Sequence, residues 1–169
     1  MTHVPEHVSE PAVVQQHEIP ATIRALSPLA APDYIDLFTL TTPEPTDVPP
    51  ERWARVAFED VAGLGGQFIW RVLLGLRLAR RRRSSPTHIA GWRIAGRGED
   101  WIRVEARSWM LTGHLVVHVD GERRQVSLAT FLRYDRPVAA RVWTPLSAKH
   151  RSVAPALLRD TREALTSLA

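Results

Sequence analysis

Hydrophobic positions along the chain change period three times, and each change predicts a new element. From Asp33 to Thr42 the residues alternate. Tyr34, Asp36, Phe38 and Leu40 fall on one side and Ile35, Leu37 and Thr39 on the other, the period-2 signature of a strand. After the breaker PEPTDVPP, Trp53, Val56, Ala57 and Val61 follow helical spacing, with Asp60 as a polar intruder. Pro50 suits a first helical turn, and Glu51 lies near the positive end of the dipole. The glycines Gly63–Gly66 are expected to stop this helix, and Gln67–Ala79 reads as a second, strongly apolar one.

Beyond a turn at Ser84-Ser85-Pro86 the alternation returns. Ile89–Ala95, Trp101–Ser108, Leu111–Val119 and Arg123–Tyr134 read as antiparallel strands, with GRGED and DGE as hairpin loops. On the last of them Val126, Leu128, Thr130, Leu132 and Tyr134 share a face. From Val138 the period is helical again. Val142, Leu146, His150, Val153, Leu157 and Leu165 form one stripe, while Pro145 and Pro155 predict a kinked or two-piece helix. Residues 1–30 have no sustained periodicity and read as a disordered, acidic, proline-rich tail, leaving 31–169 as a single domain.

A meander with one apolar face needs a cover, and the terminal helix supplies it. The expected fold is therefore α+β of the helix-grip kind. It has a curved antiparallel sheet of about five strands packed on a long C-terminal helix, with two helices between the first and second strands. That order, with the segments HIAGWRIAG, VSLATFLRYDRP and PLSAKHRSVAPALLRDTREAL, resembles the bacterial domain of unknown function 2867 family. The architecture is similar to the START-like (SRPBCC, Bet v 1-like) superfamily, over roughly Ala31 to Leu165. The resemblance rests on the Gly91-Trp92-Arg93 strand, the threonine-containing last strand and the pair His150-Arg151. It implies a cavity between sheet and helix that takes a small apolar or amphipathic ligand. It carries over no reaction, and five strands are fewer than the six or seven usual in that superfamily.

Composition narrows the chemistry. There is no cysteine, so disulfides and thiolate metal sites are excluded. Arginine outnumbers lysine 21 to 1, and the charge is segregated, net −7 over residues 1–60 and net +11 over 61–169. The four consecutive arginines Arg80, Arg81, Arg82 and Arg83 form a candidate contact for an anionic partner, nucleic acid or membrane surface. Without interleaved aromatics or a nucleic-acid module, they read first as a basic helix terminus that faces solvent and offsets the acidic leader. The stretch FIWRVLLGLRLARRRR, apolar then basic, fits contact with an anionic bilayer, although a helix apolar nearly all round is also what packing inside a domain requires. A basic leader followed by an apolar core is not seen at the N-terminus, and the longest apolar run is far short of the ~20 residues of a spanning helix, so a soluble cytoplasmic protein is expected.

The pocket candidates are Trp92, Thr130, Tyr134, Trp143 and His150, which combine aromatic surface with polar handles. His150 is notable because it interrupts an apolar stripe. It fits either a core histidine bonded to a strand or to Tyr134, or an acid/base of a cyclase- or dehydratase-like enzyme aided by Tyr134 or Arg93. Arg93 has the wrong strand parity for that role. No Ser-His-Asp set or nucleophile elbow can be assembled, so no catalytic residue is assigned. His114 and His118 are four residues apart on a strand, ~13 Å, too far to share a metal ion, and are expected to be surface histidines. The glycine turn Gly63–Gly66 lacks the lysine and spacing of a phosphate loop; it could border the cavity entrance as a lid. No cofactor or metal site is predicted, and the sequence carries no signal for oligomeric state.

Overall fold

A computed structural model describes residues 11–80 and 85–169. Seven strands form one antiparallel sheet: β1 (Val13–Gln15), β2 (Tyr34–Thr41), β3 (His88–Ile89), β4 (Trp92–Arg97), β5 (Trp101–Arg107), β6 (Leu111–Asp120) and β7 (Gln125–Tyr134), in spatial order β1-β2-β7-β6-β5-β4-β3. Strands β3 to β7 are a meander, and β2 adds to β7 from the other end of the chain, pairing Asp36 with Thr130 and Phe38 with Leu128. A 30-residue helix, α4 (Val138–Ser167), packs on the β1, β2 and β7 side of the sheet. The class is thus the α+β one expected, with seven strands where five were read.

The two extra strands have distinct causes. β1 comes from the segment assigned to the tail: Val13 pairs with Leu40 and Gln15 with Phe38. Residues 19–29 then cross the sheet face opposite α4. Ile23, in the short helix α1 (Ala21–Arg24), is buried there with Leu37, Val116, Ala129 and Phe131, and Ile19, Leu26 and Leu29 pack around them. The second extra strand arises because the segment read as one strand, Ile89–Ala95, contains a hairpin. Ala90 (φ +50°) and Gly91 (φ +88°) form a two-residue turn between β3 and β4. Two consecutive left-handed residues are what a tight hairpin matched to strand twist requires.

Between β2 and β3 lie α2 (Pro50–Arg55), continued by a π-helical stretch Val56–Val61, and α3 (Gly63–Phe68), continued by a second, Ile69–Leu73. The glycines do not simply stop a helix: Gly63, at φ +49°, breaks the first, and Leu64, Gly65 and Gly66 already belong to the second. That helix ends at Leu73, six residues before the expected Ala79. Gly75 (φ +63°) turns the chain, and Leu74, Leu76 and Leu78 are buried at alternate positions of an irregular segment whose Arg77 and Ala79 N–H groups donate to the Arg107 and Gly91 carbonyls. Nor is α4 two pieces. Pro145 and Pro155 both sit inside one uninterrupted helix. No helix among the described residues is long and apolar enough to cross a membrane.

Candidate functional site

The faces of α4 and the sheet do not meet everywhere. Between them lies a cavity of about 360 Å³. Strand alternation builds its floor from Trp92, Leu115, Leu128, Thr130 and Leu132, all in the phase that faces α4. The helical stripe builds its roof from Trp143, Leu146, His150, Val153 and Leu157. The third wall is the irregular helix pair, through Phe58, Ala62, Gly66, Ile69, Trp70 and Leu74. There Trp70 stands edge-on between Phe58 and Trp92, with ring centroids 6.2 and 5.5 Å away. The exposed lining residues, Gly65, Lys149, Val153 and Asp160, place the mouth between α3 and α4.

Four of the five pocket candidates, Trp92, Thr130, Trp143 and His150, are brought together in this lining. Tyr134 is not. It shares the strand phase of Thr130 but lies at the end of β7, where its backbone N–H donates to Asp33 at 2.6 Å; burial, reinforced by the Asp33 charge, raises its phenol pKa. Arg93 points to the other side of the sheet and pairs with Glu105, as its parity required. Arg80 is exposed, and Arg81, Arg82 and Arg83 lie outside the described residues. The glycine turn does border the cavity, through Gly65 and Gly66.

His150 is half-buried at the edge of the core, and its partners are side chains, not strand backbone or Tyr134. Its Nε2 lies 2.9 Å from Asp36 Oδ2 and 3.3 Å from Thr130 Oγ1, and its ring packs between Phe38 and Trp143. Asp36 is only 2% exposed. Its Oδ2 also accepts a hydrogen bond from the Tyr34 hydroxyl at 2.6 Å, while Oδ1 has no partner among the described residues. Arg151 Nη1 reaches the same hydroxyl at 3.5 Å. Burial, then the hydrogen bond and charge of Asp36, push the Tyr34 phenol well above its ordinary pKa, against the opposing pull of Arg151. Asp36 and Tyr34 were not singled out from sequence. The signal was present, because Asp36 is the one acid in the apolar phase of its strand, and a carboxylate there needs a partner beneath the helix.

This arrangement can orient an imidazole but does not make a nucleophilic relay. Both Asp36 and Thr130 meet His150 at Nε2, whereas a triad needs its acid and its nucleophile on opposite ring nitrogens. With Nε2–H given to Asp36, Nδ1 is left as acceptor in the neutral ring and as donor in the charged one.

The remaining candidates fall elsewhere. His118 is partly exposed and lies 3.3 Å from Asp100. His114, expected on the surface, is 5% exposed on the sheet face opposite α4 because residues 19–29 cover it. Its Nδ1 meets Ser27 Oγ at 2.8 Å and its Nε2 lies 3.4 Å from Glu105. Burial lowers its pKa to about 4 despite Glu105, with Arg103, Arg133 and Arg93 adding to the effect. No group of three or more His, Asp or Glu among the described residues could hold a metal ion.

The chain matches no protein-family model, no curated protein and no solved structure.

Proposed function

We propose that the chain binds a small apolar or amphipathic molecule in the cavity between the sheet and α4. The observation that carries this reading is the cavity: about 360 Å³, within the range of small-molecule sites, with a mostly apolar wall whose polar groups are Thr130, His150 and the buried indole N–H groups of Trp92 and Trp143, which have no partner among the described residues, with Lys149 and Asp160 at the mouth. A close-packed interior does not keep such a volume by default, since each cavity costs stability in lost contacts. The helix-grip arrangement and the resemblance to the START-like superfamily point the same way. Thr130 and His150 set one polar point on the wall, and Trp92 and Trp143 hold indole N–H donors without a partner among the described residues, which suits a ligand with a few hydroxyl or carbonyl groups on an apolar body.

The test is mass spectrometry of the native protein and of its organic extract after purification from the producing cells, beside a Leu128→Trp variant that fills the floor. A stoichiometric apolar compound held by the wild type and lost from the folded variant is the expected result. Failure to retain or take up any apolar compound would sink the proposal.

A second reading, an enzyme of the cyclase or dehydratase kind with His150 as acid/base, is favoured by the Asp36–His150 contact, which holds the imidazole as a base is held by its orienting group. His150→Gln would then abolish turnover of a bound ligand while leaving its affinity within a few-fold.

A further inference from the structure

The helix Gly63–Leu73 is apolar on two sides, and only one of them is used inside the molecule. Ile69 and Trp70 face the cavity. Leu64, Phe68 and Val72, spaced one turn apart on the outside, are 86%, 55% and 63% exposed. Side chains at such spacing form a continuous strip, and a contiguous exposed apolar strip marks a contact surface. At the C-terminal end of the helix stands a second exposed apolar group, Trp109, against Gly75.

Around that tryptophan the charges have one dominant sign. Arg77 and Arg107 line the same hollow as Trp109, and the Arg77 backbone N–H donates to the Arg107 carbonyl. Arg136 lies over the indole, 6.0 Å from its centre, and donates to the Trp109 carbonyl. No carboxylate of the described residues pairs with Arg77, Arg107 or Arg136. The nearby acids form their ion pairs with other arginines, Asp135 with Arg133 and Glu105 with Arg93, although Arg107 also contributes to lowering the Asp135 pKa. In sequence the run Arg80–Arg83 follows three residues after Arg77.

We propose that this face, the outer strip of the helix Gly63–Leu73 with Trp109 and its arginines, docks on an anionic lipid bilayer. An apolar strip to enter the acyl boundary, an indole for the headgroup level and unpaired arginines for the anionic lipid are the three parts such contact needs. The strip adjoins Gly65 at the cavity mouth, so docking would present the mouth to lipid. The docking surface itself does not depend on the cavity holding a ligand.

The experiment is flotation of the full chain with vesicles of phosphatidylcholine alone or with about one-third phosphatidylglycerol, at low and high salt. Phe68→Asp and the double variant Arg77→Glu/Arg107→Glu are compared with wild type, each checked for an unchanged melting curve. Binding to the anionic vesicles, weakened by salt and reduced about tenfold or more in both variants, is the result expected. Absence of binding to anionic vesicles, equal binding to neutral ones, or a wild-type dimer dispersed by Phe68→Asp would each overturn the proposal. Uptake of an apolar compound by Phe68→Asp, measured alongside, separates a failure of docking from a failure of the cavity reading.

Discussion

His150 reaches across from α4 to place its Nε2 2.9 Å from the Oδ2 of Asp36 on β2, beneath the helix and beside the cavity. The pair is unequal. Asp36 is almost fully enclosed, whereas a quarter of the His150 side chain is exposed, so the carboxylate depends on the imidazole more than the reverse. Removing His150 leaves Asp36 with only the Tyr34 hydroxyl on Oδ2 and nothing on Oδ1. His150→Ala should therefore cost about 1–3 kcal/mol, below the range for fully buried pairs because of the exposed part of the ring. In an Asp36→Asn background the same substitution should cost much less. Urea unfolding of the two single variants and the double closes this cycle, and additive costs would show that the contact contributes no coupling.

The backbone at the β3–β4 hairpin makes a prediction with opposite signs at adjacent residues. Gly91 sits at φ +88°, and a Cβ there would come within 2.8 Å of the Ala79 carbonyl oxygen. Gly91→Ala combines a forbidden conformation with a backbone collision and should cost about 2–4 kcal/mol. Ala90, at φ +50°, is a non-glycine residue in the left-handed region whose half-buried methyl packs against the core. Ala90→Gly should stabilise by about 0.5–1 kcal/mol, since its bonds to Glu59 and Gln67 use only backbone atoms of residue 90. Thermal melts of both variants check the pair of signs.

These two sites also show where sequence reading succeeded and where it stopped. The central strands and the terminal helix were legible because their apolar residues keep a strict period over many positions: Val126 to Tyr134 by twos, Val142 to Leu165 by threes and fours. That same regularity put Trp92, Thr130, Trp143 and His150 around one space. The hairpin at Ala90-Gly91 was invisible because alanine is not a turn residue, and the bonds that hold the reversal, between the turn backbone and Gln67, Glu59 and Ala79, come from distant segments. Leu74, Leu76 and Leu78 were read as helix because they follow an apolar run, although their spacing by twos is not helical and they form an irregular segment. Asp36 was visible as an acid in an apolar phase, but its partner, 114 residues later, is set by the packing of α4 and not by local pattern. Tyr134 had the right phase and the wrong distance along the strand.

The segment read as a tail is the clearest departure, and it makes the third prediction. Ile23 is 6% exposed and closes a small core with Leu37, Val116 and Phe131 on the sheet face away from α4. Arg103 reaches over to the Leu26 carbonyl at 2.7 Å, fastening the segment to β5. Nothing periodic announces this, because an irregular strap buries isolated side chains. Ile23→Ala should cost about 2–4 kcal/mol, and Ile23→Asp more, by denaturant midpoint. Removal of residues 1–30 should leave Leu37 and Phe131 uncovered and β2 as a bare edge, giving a protein that self-associates. A truncated chain as stable and monomeric as the full one would show that the strap does not hold the fold.

Under the same strap, His114 ties stability to pH. Its folded pKa of about 4 lies below the value of ~6.5 in an unfolded chain, with burial as the main cause and Glu105 only partly opposing it. Between those values the unfolded chain binds a proton that the folded one refuses. Acidification from pH 6.5 toward pH 4 must therefore draw the equilibrium toward unfolding, and above pH 7 the effect vanishes. After allowance for solvent screening beside Glu105, Arg93, Arg103 and Arg133, the loss attributable to this one group is about 1–2 kcal/mol. His114→Gln keeps a side chain able to bond Ser27 and Glu105 but cannot take the proton, so its unfolding free energy should fall less steeply over that interval than that of the wild type. Denaturant unfolding at several pH values between 4 and 7.5 measures the difference directly. Parallel curves for the two proteins would mean that His114 is hydrated or charged in the folded state, and that the strap does not seal it.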